Sequence, residues 1–209
     1  METIKAWHFA STDKKLRYGD GRQMRIGRTH KVKGKPELCE NGLHASERLI
    51  DALQYAPGCY LFEVELSGEF DIGSDKVCAT ERKYIRGFNA EKLLREFARK
   101  QALINLEKIK DYTNDDDYDL IERFLLTGDE SIRPAAWSAA RSVARSAARS
   151  LAWSLAWSVA RSVARSAARS AAESAAEAAS GPASGSVAWS AADKMLTDMV
   201  MEEFKRMGK

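Results

Sequence analysis

Seven arginines lie between Ile132 and Ala172, and no carboxylate lies among them. Six of them, Arg141, Arg145, Arg149, Arg161, Arg165 and Arg169, recur four residues apart on one rung with Trp153 and Trp157. Guanidinium groups bind phosphate and indole rings stack on bases, so this rung has the chemistry of a nucleic-acid surface. The other reactive side chains lie in the first half. His8 stands in "AWHFAS", His44 in "GLHAS" and Glu81 in "CATER". His30, Cys39, His44 and Cys59 lack the spacing of zinc ligands, so no metal site is expected. Neither a G-x-x-x-x-G-K-[ST] phosphate loop nor a G-x-S-x-G nucleophile elbow occurs. Glu63 and Glu65 fall on the same side of one strand and read as a solvated face.

The elements that position these residues follow from hydrophobic period. Residues 1–88 read as an α/β module. "IKAWHFA" (4–10) is a first strand, and "GDGRQMRIG" offers turn glycines and a short strand. Ser46 caps a helix "ERLIDALQYA" with Glu47 in its first turn, and "APG" stops it. "CYLFEVELSG" (59–68) alternates, with Tyr60, Phe62, Val64 and Leu66 on one side. "KVCATERKYI" (76–85) is a last strand, with Val77, Ala79 and Glu81 on one side. Residues 89–130 read as a helical pair packing on the module. Leu93, Leu94, Phe97, Leu103, Leu106 and Ile109 form the stripe of the first helix, and the second ends at Gly128. Residues 131–180 hold the four-residue repeat, and 181–209 an amphipathic helix with Val187, Met195, Leu196, Met199, Val200 and Phe204 as its stripe. The fold class is α+β, followed by an all-α Ala/Ser/Arg-rich region.

The repeat has a geometric consequence. Four residues advance about 400° on a helix of 3.6 residues per turn, so each rung drifts about 40°. No face stays buried along such a helix. Either the segment breaks near 148–152 into shorter helices, or one long helix serves several neighbours in turn. Ala and Ser ridges suit close helix crossings and offer a surface for homo-oligomers. On this reasoning tryptophans mark covered stretches and arginines open ones.

Composition limits the cell compartment. The three cysteines are odd in number and form no C-x-x-C, which fits a reducing compartment. No run of about 18 apolar residues is present, and the first residues show no signal pattern. A soluble cytoplasmic protein without membrane partners is the expectation.

The order of His8 on a first strand, "GLHAS" before a helix, and "CATER" on a later strand resembles ADP-ribosyltransferases of the poly-ADP-ribose polymerase type. The resemblance covers about 80 residues. It implies an NAD or ADP-ribose-like ligand, with His8, His44 and Glu81 as the catalytic residues. In that family the histidine grips the nicotinamide ribose, a tyrosine stacks on nicotinamide, and the glutamate stabilises an oxocarbenium ion. Here His44 stands at the tyrosine position, and Phe9 follows His8 where the family usually has glycine.

A second resemblance is broader. "AWHF…LRYGDGR…LCENGLHAS…DALQYAPG…VELSGE…DKVCATER", then "REFAR" and the ladder, is similar to an uncharacterised family of phage and bacterial proteins. It implies a phage or prophage accessory protein in the host cytoplasm, and by analogy a counter-defence role. The leading expectation is a binding or inhibitory protein that recognises a host protein or a nucleotide. Its ligand residues would be Trp7, His8, Tyr18, Gly42, His44, Ser46 and Tyr55, with the repeat as scaffold. The alternatives are an active ADP-ribosyltransferase and a nucleic-acid binder using the Arg/Trp ladder.

Overall fold

The computed structural model describes residues 2–146 and 186–208. Alternating apolar residues make a five-stranded antiparallel sheet. Its strands are β1 (Thr3–Ala10), β2 (Thr29–Lys31), β3 (Leu43–Ala45), β4 (Tyr60–Ile72) and β5 (Val77–Asn89), with helix α1 (Leu49–Gln54) between β3 and β4. The order is β1-β4-β5-β2, and β3 also pairs with β5. β4 and β5 form a long hairpin closed by Gly73 N–H donating to the Lys76 carbonyl at 2.9 Å. This architecture, with the helices described below, is α+β.

The chain divides into two compact units, Met1–Glu91 with Leu196–Lys209, and Lys92–Met195. In the first, Ala6, Ala10, Met24, Ala45, Phe62, Val64, Leu66, Val77, Ala79 and Tyr84 form one apolar core. The other face of β4 is buried as well: Leu61 lies there in register with Phe9 and Phe88. Phe204, from the last helix α5 (Ser186–Arg206), meets Phe88 edge-on at 5.1 Å and stacks on Trp7 at 6.5 Å. This cover corrects the expectation of a solvated face at Glu63. Glu63 pairs with Arg86, whose guanidinium lies 4.0 Å over the Phe204 ring, so the carboxylate is half-buried in an ion pair.

Three local expectations also change. Ser46 does not cap α1. The residue before the helix is Arg48, which makes no side-chain cap bond, and Ser46 is buried with its backbone bridging Trp7. The strand expected after "GDG" is a single bridge, Lys15 to Gln23, and pairing resumes only at Thr29. On β5, Glu81 does not continue the side of Val77 and Ala79. β4 carries an irregularity between Ser67 and Phe70, opposite Thr80, and the buried residues of β5 switch phase there to Arg82 and Tyr84. Where two residues of one strand oppose a single residue of its neighbour, the pairing of faces between the two strands slips by one residue.

The second unit holds α2 (Glu91–Leu106) from Lys92 on, a 3₁₀ segment (Glu107–Tyr112), α3 (Asp115–Thr127) and α4 (Arg133–Ser146). Asn114 caps α3, its Oδ1 accepting from Asp117 N–H at 2.8 Å, and three aspartates occupy the first turn where the helix dipole favours them. Gly128 ends the helix at φ 66°, a conformation that β-carbon sterics disfavour elsewhere. Leu94, Phe97, Ala98, Ala102, Asn105 and Leu106 are the buried side of α2.

α4 displays the start of the ladder. Ala136, Ala139, Ala140 and Val143 are buried with Ile121, Phe124 and Leu125 of α3. Burial thus moves from the slot just before the rung (136, 140) to the slot before that (139, 143). A period of four on a 3.6-residue helix must slip in this direction. Trp137 packs partly buried on this cluster, and Arg141 is exposed. The alanine ridge of α4 is therefore filled from within the unit over these turns. The break expected near 148–152, the arginines from Arg149 to Arg169, and Trp153 and Trp157 lie outside the described residues, as does the side chain of Arg145. No described helix is long and apolar enough to cross a membrane.

Candidate functional site: a guanidinium among histidines

The phase switch on β5 turns Arg82 inward. It sits opposite His30 of β2 and Leu66 of β4, and it is 2% exposed. Its Nε and Nη2 donate to Tyr84 Oη at 3.2 and 2.9 Å. Its Nη1 reaches His8 Nδ1 at 3.2 Å and the His44 carbonyl at 2.5 Å. Among the described residues no carboxylate bonds this guanidinium.

Donor chemistry then assigns the protons. A guanidinium only donates, so His8 Nδ1 must present its lone pair and the ring proton lies on Nε2. Tyr84 Oη accepts twice from Arg82, which leaves its own hydrogen for His30 Nδ1 at 3.2 Å. His30 Nε2 is then an N–H donor, and it is buried with no partner among the described residues. His44 Nε2 accepts from Cys39 N–H at 3.0 Å. All three histidines are neutral acceptors on the sides just named.

The electrostatics agree. Burial, followed by the Arg82 charge, holds His8 well below the ordinary histidine value, and a hydrogen bond with the His44 backbone offsets part of this. Burial also lowers His30, with Arg22, Arg82 and Arg28 adding to it. His44 is lowered by burial, then by Lys76 and Arg82.

The structure brings His8 and His44 together around Arg82. Glu81 is not brought to them by any bond. Its carboxylate pairs with Lys31 Nζ at 2.7 Å, and as the neighbour of Arg82 on a strand it projects from the opposite face. Trp7, also adjacent to His8, faces Phe204 instead. Gly42 has a packing reason: at φ 126° a Cβ would stand 2.2 Å from Cys78 Sγ, so only glycine lets this loop close on β5. Ser46 is buried in the bridge to Trp7. Tyr18 is fully exposed on the loop before β2, with φ 58°. Tyr55 is half-exposed, bonded to Asp75 and covered by Lys76 Nζ at 4.5 Å from its ring centre. Arg82 and Tyr84 were not singled out in the sequence, because strict alternation from Val77 assigns them to the outer side, and His30 was weighed only as a metal ligand. Among the described residues no group of three or more His, Cys, Asp or Glu could hold a metal ion.

No curated protein and no solved structure matches the chain. Residues 4–96, which span β1 to the first turns of α2 and hold every residue of this site, match the family described as a domain of unknown function, DUF7666.

Proposed function

We propose that the N-terminal sheet is a binding module for an anionic ligand, in an accessory protein of the phage type that acts by binding a nucleotide or a host protein. The observation that carries this reading is the Arg82 guanidinium bonded to His8 and to the His44 backbone, with no carboxylate bonded to it among the described residues. Cleavage of a nicotinamide riboside bond builds positive charge on the sugar, and a fixed cation at that point opposes it. The same cation favours phosphate or carboxylate groups. The ADP-ribosyltransferase-like order of His8, "GLHAS" and "CATER" then supplies a scaffold for a ligand of the ADP-ribose class, with Glu81 engaged by Lys31 and not free for catalysis. A counter-defence role is the biological form of this proposal.

Titration calorimetry of the full chain against ADP-ribose and NAD tests the reading. Binding is expected, with no release of nicotinamide and no label transferred from NAD to lysate proteins. Turnover that Glu81→Gln abolishes would establish the transferase instead. Absence of heat with either compound, and no host protein retained, would end the binding reading.

A further inference from the structure

A cleft of about 400 Å³ opens between the loop after β1 and the start of β4, lined by Lys14, Gln23, Met24, Arg25, Ile26, Tyr60 and Phe62. It has two cations and no carboxylate on its wall. Lys14 Nζ stands 4.6 Å over the Tyr60 ring. Tyr60 tilts at 45° against Phe62, with ring centres 4.8 Å apart, and Phe62 is the buried floor. Arg25 is exposed and forms no ion pair among the described residues.

The loop is built to hold these groups. Lys14 has φ 53°, a left-handed conformation uncommon for a residue with a side chain. Its backbone is held at both ends: its N–H donates to the Ser11 carbonyl at 2.9 Å, and its carbonyl accepts from Met24 at 2.8 Å. Gln23 Nε2 donates to the Asp13 carbonyl at 2.8 Å. Gly27 N–H donates to Tyr84 O at 2.7 Å and Tyr84 N–H to Arg28 O at 3.0 Å, which ties the far end of the segment to β5. Non-glycine residues in such backbone regions gather where a site needs them.

We infer that this cleft binds a nucleoside phosphate, with the base against Tyr60 and the phosphate held by Lys14 and Arg25. An aromatic wall beside two cations that form no ion pair among the described residues suits a ligand that is both planar and anionic, and the volume lies within the range of small-ligand sites. Phe62 is in register with His8 across β1 and β4, so the cleft and His8 share one face of the sheet. The inference rests on reading that face as ligand-binding and names the part of the ligand bound at its outer end.

The test uses the full chain with AMP, ADP, adenosine and inorganic phosphate in calorimetry. AMP and ADP should bind, with adenosine and phosphate each at least tenfold weaker. Arg25→Glu, an exposed change that leaves the fold intact, should weaken AMP at least tenfold. Tyr60→Leu should weaken it about fivefold while leaving inorganic phosphate unchanged. No binding of AMP or ADP at millimolar concentration overturns the inference, as does AMP binding that Arg25→Glu leaves unaltered. ADP-ribose binding that His8→Gln weakens and Arg25→Glu does not would overturn the cleft and leave the broader reading standing. AMP binding without any ADP-ribose binding would keep the cleft and overturn the assignment of the ligand to the ADP-ribose class.

Discussion

Arg82 Nη1 lies 3.2 Å from His8 Nδ1, and the guanidinium can only donate, so Nδ1 accepts. A strand residue at one edge of the sheet and a β5 residue 74 positions later thereby fix each other's state. His8 must stay neutral for the contact to exist. Three more of the five guanidinium hydrogens go to Tyr84 and the His44 carbonyl. From this network come the first two predictions.

Stability of the sheet unit should fall as pH drops below about 6.5. Folding lowers all three histidines, chiefly through burial. Below about 6.5 the unfolded chain binds protons that the folded chain refuses. The histidine contribution is therefore complete above that pH and is lost as pH falls toward the folded values. Denaturant melts between pH 7.5 and 5 should show the loss, and His30→Gln should reduce its slope. A flat profile over that range would contradict the buried neutral histidines.

Arg82→Met should destabilise the sheet unit by about 3 kcal/mol, because it leaves the Tyr84 hydroxyl, His8 Nδ1 and the His44 carbonyl without their donor. Arg82→Lys should recover only part, since one ammonium cannot span these acceptors in a planar fork. Urea unfolding followed by tryptophan fluorescence measures both. Equal stability of the methionine variant would mean that the network contributes nothing.

Gly42→Ala should cost about 2 to 4 kcal/mol, from strain at φ 126° and from the clash with Cys78 Sγ. Cys78→Ala removes the sulfur, so the double variant should be less damaged than the sum of the singles. Strict additivity would place the whole effect in the backbone. The measurement is a four-member cycle of chemical denaturation.

Asn114→Ala should cost the helical unit about 1 kcal/mol by leaving Asp117 N–H without its cap. Asn114→Asp should restore part of this, although it adds a fourth acidic group beside Asp115, Asp116 and Asp117. Circular dichroism melts at low and high salt separate the cap from the charge repulsion. The repulsive part should vanish at high salt.

Phe204→Ala should cost about 3 to 5 kcal/mol, the usual range for truncating a buried phenylalanine. Phe204 touches Trp7, Phe88 and Arg86. Hydrogen exchange in β1 and β5 should rise in the variant. Unchanged protection there would remove α5 from the sheet core.

Much of the fold is legible residue by residue. The period-two run Phe62, Val64, Leu66 marks β4, and the 3.6 stripe through Leu94 and Phe97 marks α2, because each depends only on which local face is apolar. Gly128 and Asn114 mark their helix ends through their own backbone chemistry. Ser46 misleads, since a serine before a helix is an ordinary cap and its pairing with Trp7 is a contact between distant segments. Glu63 misleads likewise: it is read as solvated, but its cover arrives with Phe204, more than a hundred residues later.

Sequence by itself determines the antiparallel hairpin, the helices and the slip of the alanine ridge along α4, because these follow from side-chain period against a fixed backbone pitch. Tertiary structure decides the site. An irregularity of β4 opposite Thr80 reverses which side of β5 faces the core, so Arg82 turns inward to His8 and His44 while Glu81 turns out to Lys31. A one-residue phase change leaves almost no trace in composition or spacing, yet it sets a guanidinium in place of a carboxylate beside His8.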